Sequence, residues 1–331
     1  MIDEKELLQK WHKDKACYKA WGEYLAEKIQ KKLEEKLGIS YQSFLKMPVI
    51  PRLKSDESLV EKALVRKTYD DPYSDITDKV GIRFVVLLKD EMHSVIDSLK
   101  EVSDCRWENS RDSNAEQKEN PWQFVYSADH YIVWSKCDMV YNNTKISANT
   151  PCEVQIKTLL DHAYSELTHD RIYKTDNSKS SEMYRNAAKA KALIEATSDY
   201  FEIIAKDNQK QLTRNMTIGR KLSKLYLEQI GTEPDISSSD ISRLNDMVIN
   251  MHEVDEPDQL LQRVVDMLAE KTFIIKKIKY RLKHNNNLAK LPCIFLVYLG
   301  IFEDCQKIKR EWKMQIDDLE PFLNDLGYSV D

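Results

Sequence analysis

The chain has 331 residues, 42% of them hydrophobic and 32% charged, with a formal net charge of -5. That length is enough for two domains, and the negative charge excludes a general electrostatic pull toward nucleic acid, leaving only a local basic groove open. Seven glycines and nine prolines speak against a turn-rich β architecture and for helices.

Apolar residues Leu7, Leu8, Trp11, Tyr18, Trp21, Leu25, Ile29, Leu33 and Leu37 recur at three- and four-residue steps, which predicts one helix or two abutting helices over 3–37, ended by Gly38 as a C-cap. Residues 47–53 contain Pro48 and Pro51 and are predicted as extended, with a strand ending at Arg52 and Leu53. A helix is expected over 54–69 and a loop over 70–73. The β-branched and aromatic run Ile82–Leu88 follows and predicts a buried central strand. Residues 91–102 read as a helix with Met92, Val95, Ile96 and Leu99 on one face, and the polar stretch 103–121 reads as a loop. Residues 124–134 alternate like a strand, 140–147 suit a second with Asn142 and Asn143 in a turn, 152–157 suit a third, and 158–173 suit a helix. This order gives an α/β (α+β) domain over roughly 40–175. After a polar linker at 175–181 the chain shows no convincing strand. Helices are expected over 182–206, 215–230, 239–250, 257–284, 288–302 and 304–325, with no repeat. Three regions result: an N-terminal helical segment 1–44, a domain at 45–175, and a helical region 182–331 that suits oligomerisation, self-inhibition or sensing.

The longest apolar run, Leu291–Phe302, is shorter than the ~20 residues a membrane-spanning helix needs and is expected to be a buried helix. The six cysteines form no C-x-x-C pair and no zinc-like spacing, and the N-terminus is polar and charged, unlike a signal peptide. The expectation is reduced thiols in a cytoplasmic protein.

Candidate chemistry falls into five blocks. On a helix over 54–69, the four-residue spacing of Lys54, Ser58, Lys62 and Arg66 puts them on one face, with Lys67 beside it and Arg52 before it. Like charges at that spacing oppose a free helix, and a cluster of them suits an anionic partner such as phosphate; the plainer alternative is a solvated face. Asp75 and Asp78 precede the central strand and Arg83 lies just inside it. The two carboxylates suit Mg²⁺, which binds one or two carboxylates plus substrate phosphates, or else they cap backbone. Tyr126, Ala128 and His130 share a strand face, where a tyrosine can stack on a base and a histidine can bond to base or phosphate. Glu153, Gln155 and Lys157 share one face of a strand whose other face is apolar. His169 and Tyr173 stand one helical turn apart.

In this order the blocks Arg52–Lys67, Asp75–Arg83, Tyr126–His130 and Glu153–Lys174 resemble the synthetase domain of the RelA/SpoT family, over about residues 45–175. The resemblance implies a nucleotidyltransferase-like mixed β-sheet flanked by helices. It implies a GTP pyrophosphokinase-like enzyme that moves the pyrophosphoryl group of ATP to the ribose 3′-hydroxyl of GDP or GTP, giving the (p)ppGpp alarmones of the stringent response. Carried onto this chain, Asp78 and Glu153 are the catalytic pair and the Mg²⁺ ligands. Arg52, Lys54, Ser58, Lys62, Arg66, Lys67 and Arg83 hold ATP and its phosphates. Tyr126, His130 and Gln155 hold the acceptor, with His169 and Tyr173 in support and Asp75 in a lesser role. The family pattern Gly-Tyr-x-Ser-x-His is altered here to Val125 and Ala128 at the glycine and serine positions, and valine does not readily take the positive φ open to glycine. Toxin-type relatives, some from toxin–antitoxin pairs, pyrophosphorylate the 3′ end of tRNA or use adenosine nucleotides, and the altered loop leaves those acceptors open. The basic stretch Lys271–Lys283 is the best place in the helical region for a tRNA, but the preferred reading is an amphipathic helix with a solvated basic face. Residues 1–45 are too short for the hydrolase domain that long members carry ahead of the synthetase, so a single activity is expected. A degenerate, non-catalytic nucleotide-binding module is the remaining alternative. No membrane partner is expected, and the helical region allows a homo-oligomer.

Overall fold

The computed structural model describes residues 3–66, 69–120, 122, 124, 127–168, 180–235, 239–252, 256–284 and 286–329. The apolar stripe near the N-terminus folds as one helix, α1 (Glu4–Leu37), rather than two. Asp3 caps its start by accepting from the Glu6 N–H, and Gly38, at φ 64°, ends it by donating its N–H to the Glu34 carbonyl. The stripe, Leu7, Trp11, Trp21, Leu25, Ile29 and Leu33, is fully buried. Gly22 lies where a Cβ would come within 2.9 Å of the Pro51 Cβ and 3.0 Å of the Val80 Cγ2, so the helix presses directly on the segment that leads into the sheet.

The strands are β1 (Arg52–Leu53), β2 (Val80–Val86), β3 (Cys105–Arg111), β4 (Asp129–Ser135), β5 (Met139–Tyr141), β6 (Thr144–Ile146) and β7 (Pro151–Thr158). Five form a mixed sheet in the order β1-β2-β7-β4-β3, in which β2 and β7 run parallel and the other neighbours antiparallel. β5 and β6 pair separately, and Asn142 and Asn143 turn between them at φ 46° and 59°, the positive angles that a two-residue hairpin requires. Val80, Ile82, Phe84, Val154, Ile156, Tyr131 and Val133 pack in one core with α1 and with α5 (Lys89–Lys100), which follows β2.

Several elements depart from the sequence expectation. The predicted loop 103–121 is β3 followed by α6 (Ser113–Glu119). β3 is an edge strand whose side chains are mostly exposed, so it carries no hydrophobic alternation and is held by backbone pairing to β4. β4 begins at Asp129, not at residue 124. The predicted helix 54–69 is α3 (Asp56–Glu61), capped by Ser55, followed by a single π turn at Lys62–Arg66. Lys54 therefore precedes the helix, on extended backbone whose N–H donates to the Lys79 carbonyl. The short α2 (Tyr41–Phe44) precedes β1, and the predicted loop 70–73 contains the start of α4 (Pro72–Asp75), capped by Asp71. α7 (Leu159–Thr168) follows β7. Residues 169–173 of its predicted extent, and 175–179 of the linker, lie outside the described residues.

The chain divides into two compact units, Met1–Ile204 and Ala205–Asp331. The division falls inside α8 (Ser181–Ile230), later than the change of character near 175–182. The first stretch of α8 is tied to the sheet unit. Lys191 pairs with Asp161, Lys89 reaches Asp199 at 2.8 Å, and the Asp90 N–H donates to Glu202 at 3.0 Å. The helix also runs through 206–215 without the expected break, since the Lys, Gln and Leu residues there favour helix. The second unit continues with α9 (Ser239–Asn250), α10 (Pro257–Glu270), α11 (Phe273–Lys283), α12 (Ile294–Glu311) and α13 (Ile316–Asp325), and its described residues hold no strand. The predicted helix 257–284 is thus two, broken at Lys271 and Thr272. The apolar run Leu291–Phe302 supplies the buried first part of α12, Ile294–Ile301, around which this core forms. α12 is interrupted at Asp304, whose φ and ψ of -152° and 85° are not helical. No helix among the described residues is long and apolar enough to cross a membrane, and all six cysteines are free thiols.

Candidate active site

Strand alternation gives the sheet a second, polar face opposite α1. Gly81 aligns with Glu153 and Arg83 with Gln155 across the parallel pair, and His130 aligns with Gln155 across the antiparallel one. Arg83, Glu153, Gln155, Lys157 and His130 therefore share one surface, while their sequence neighbours Ile82, Val154 and Ile156 are buried in the core. β1 joins this surface at its edge, with Arg52 exposed and aligned with Gly81.

Asp78 stands just before β2. Its Oδ2 lies 3.0 Å from the Lys54 Nζ and 2.7 Å from the Lys62 Nζ. Burial pushes this carboxyl up, but the two lysines outweigh it and hold it below the usual carboxylate range. Its second oxygen, Oδ1, is buried with no hydrogen-bond partner. A lone buried carboxylate oxygen is costly unless something else takes it up. Asp75 does something different: its Oδ2 accepts the Asp71 N–H at 3.0 Å, the backbone-capping role.

Glu153 is engaged at both oxygens. His130 Nδ1 is 3.1 Å from Oε1, and Gln155 Nε2 donates to Oε2 at 2.8 Å. Burial raises the Glu153 carboxyl and the nearby Asp78 charge adds to that, yet the contacts with His130 and Gln155 prevail and keep it low. Both carboxylates are thus anionic at neutral pH, close enough to feel each other. Gln155 and His130, expected at the acceptor, reach Glu153 directly. Among the described residues no three His, Cys, Asp or Glu side chains form a metal cage. Two carboxylates, one with an open oxygen, suit Mg²⁺ completed by substrate oxygens rather than an all-protein site.

A third cluster forms where α7 crosses this face. Arg83 Nη1 donates to Glu166 Oε1 at 2.8 Å. His162 Nδ1 lies 3.9 Å from the same oxygen. Lys157, 2% exposed, donates its Nζ to the Ser165 Oγ at 2.9 Å. Burial and the neighbouring Lys157 lower the His162 pKa, so this imidazole is neutral at pH 7.

Ser58 is exposed, and its N–H and Oγ both lie within hydrogen-bond reach of the Ser55 Oγ at the start of α3. Arg66 is described only by its backbone, in the π turn. Lys67, Val125, Tyr126, His169 and Tyr173 lie outside the described residues. In the basic stretch, Ile274 and Ile278 are buried, and Lys277 and Arg281 pair with Asp325. Lys276, Lys279 and Lys283 are exposed.

Sequence reasoning missed Glu166 and His162, which no strand pattern marks, and Lys79. Lys79 is buried beside Asp78, donates to the Ile76 carbonyl at 2.5 Å, and lies 4.8 Å and 5.2 Å from the centres of the Tyr73 and Tyr18 rings. A charge inside a strand-entry segment was the available signal. Burial lowers Lys79 and Lys157 to about 8. Unfolded, both titrate near the ordinary ~10.4, so between those values the unfolded chain binds more protons and stability increases with pH. The buried thiols Cys105, Cys152 and Cys293, pushed up by burial, titrate in the opposite sense over this range, so the reading is a difference: the wild-type thermal midpoint should gain a few degrees on that of Lys79→Met from about pH 7.5 to 9.5. A constant difference would show the Lys79 ammonium group to be solvated.

Residues 51–178 match the family model described as the region found in RelA / SpoT proteins. Among solved structures the chain is similar to small alarmone synthetase 1 from Bacillus subtilis, with TM-score 0.51 and 19% identity over 60% of this chain and 98% of that one. The same synthetase bound to its product pppGpp gives TM-score 0.50 and 20% identity, covering 60% and 98%. A GTP pyrophosphokinase family protein from Streptococcus pneumoniae gives TM-score 0.50 and 23% identity, covering 60% and 95%. At these identities the likeness is one of fold: the mixed sheet with its flanking helices. No curated protein sequence matches the chain.

Proposed function

Residues 51–178 of this chain are a RelA/SpoT region, and from that premise we propose that the protein is an ATP-dependent pyrophosphokinase whose acceptor is the ribose 3′-hydroxyl of GDP or GTP. The observation that carries this reading is the pair of low-pKa carboxylates, Asp78 and Glu153, on a polar sheet face with Lys54 and Lys62 at 3.0 and 2.7 Å from one of them. Transfer of a phosphoryl-type group asks the protein for positioning and for charge neutralisation rather than for covalent chemistry. Asp78 Oδ1 and Glu153 are the residues that would hold Mg²⁺. Bound there, it would supply positive charge at the phosphates and lower the cost of deprotonating the attacking hydroxyl.

The remaining steps belong to side chains. Lys54 and Lys62 keep Asp78 ionised and present ammonium groups to the ATP phosphates, and Arg52 and Arg83 add charge at the same mouth. His130 and Gln155 fix the Glu153 carboxylate, which accepts the hydrogen of the acceptor 3′-hydroxyl. Its oxygen attacks the β-phosphorus of ATP, and AMP leaves. The GDP or GTP acceptor is supported by the resemblance of the motif blocks. The altered residues Val125 and Ala128 keep adenosine nucleotides and tRNA as competing acceptors.

The test is transfer of label from [γ-³²P]ATP with Mg²⁺ to GDP, GTP, ADP or deacylated tRNA, each alone. Label on GDP or GTP is expected. Label on tRNA or ADP alone would reassign the acceptor, and nucleotide binding without transfer to any of them would make the protein a binding module.

A further inference from the structure

Glu166 takes no part in the transfer set out above, yet it is the carboxylate that meets the cationic corner of the site. The Nη1 contact at 2.8 Å is the one hydrogen bond of the Arg83 side chain among the described residues. The two side chains are 38% and 51% exposed, and a pair so open to water adds little to folding. Its geometry is also not that of a carboxylate sequestering an arginine, which takes the guanidinium in a two-bond fork. Among the described residues one of its five N–H donors is used, which leaves four to an anionic or hydrogen-bonding ligand.

The surroundings explain why such a hold is needed. Lys157 lies on the same face of β7, two residues beyond the Gln155 that aligns with Arg83, and the Arg83 charge is, after burial, the next cause of the lowered Lys157 pKa. Lys157 is buried and tied to Ser165, so it cannot move aside. Without a counter-charge the longer, half-exposed Arg83 would swing outward. His162, 3.9 Å from the same Glu166 oxygen, is neutral at pH 7 and does not compete for the carboxylate.

We propose that Glu166 is a positioning residue for nucleotide binding, holding the Arg83 guanidinium by one edge against the repulsion of Lys157 so that its free donors face the incoming ATP. This rests on the reading of the polar face as an ATP site. The test combines steady-state transfer with direct binding of a fluorescent ATP analogue. Glu166→Ala should raise the KM for ATP and the analogue Kd about 5- to 10-fold while kcat stays within twofold. Glu166→Gln, whose amide oxygen still accepts from Arg83, should restore most of that loss. In an Arg83→Ala background, Glu166→Ala should add nothing. A KM within twofold of wild type, tighter ATP binding in Glu166→Ala, or an equal loss in the Arg83→Ala background would overturn the proposal while leaving the ATP site intact. A wild-type chain that neither binds ATP nor transfers pyrophosphate would overturn both.

Discussion

Replacing Asp78 with asparagine is expected to lower pyrophosphoryl transfer about 10³-fold or more. The substitution preserves shape, so the backbone before β2 should hold. Three things are lost together. The open, buried Oδ1 no longer belongs to an anion and is a poor ligand for a divalent ion. The Oδ2 contacts to Lys54 and Lys62 lose their charge, leaving two partly buried ammonium groups uncompensated. The upward push that the Asp78 charge gives the Glu153 carboxyl is lost as well, so Glu153 becomes a weaker base. Stability should change much less, and in a defined direction. The folded-state pKa of Asp78 is depressed, so its contribution is present above the unfolded value near 3.9 and is lost as pH falls through the folded value. The variant should therefore differ from wild type in melting at pH 7 and converge with it in acid. Label transfer from ATP measures the first effect and thermal unfolding the second. A rate within tenfold of wild type would show Asp78 to be an anchor for its two lysines and not a catalytic group.

The second large effect is structural. Trp21→Ala should destabilise the sheet-bearing unit by ~3–5 kcal/mol. Trp21 is fully buried in α1, donates its Nε1–H to the Val133 carbonyl at 3.2 Å, and stacks on Tyr24 with ring centres 5.6 Å apart. Removing it leaves a cavity, deprives a buried carbonyl of its donor, and frees Tyr24, which itself reaches Asp104. A loss of this size is a large share of the 5–15 kcal/mol that holds a typical domain together. It also loosens β4, which carries His130 to Glu153, so activity should fall at temperatures where the variant is still mostly folded. Denaturant unfolding followed by fluorescence and circular dichroism measures it. A cost below ~1.5 kcal/mol would mean that α1 is a dispensable cover.

The sequence alone was sufficient wherever a pattern is local. The α1 stripe is legible because a helix facing one core repeats its apolar residues every three or four positions, and all of them pack on the same sheet. The polar face of β7 is legible for the same reason: Glu153, Gln155 and Lys157 alternate with Val154 and Ile156, and a strand buried on one side cannot hide that period. The apolar run in α12 announces its burial by composition. The order of the basic, acidic and strand blocks identified the RelA/SpoT resemblance before any contact was known.

Tertiary structure decided what no local period encodes. β3 is held by backbone bonds to β4, which are indifferent to side chains, so a polar edge strand looks like a loop. Lys54 and Lys62, spaced as if on one helix, do converge, but on Asp78, and Lys54 arrives there from extended backbone beside β2 rather than from a helix face. Glu166 meets Arg83 across 83 residues of sequence because α7 folds back over the end of the parallel pair. A charge on a short helix carries no sign of which distant partner it will meet; that is set by the packing of sheet and helix. The candidate site is therefore half a sequence motif and half a consequence of how β2, β7 and α7 come together.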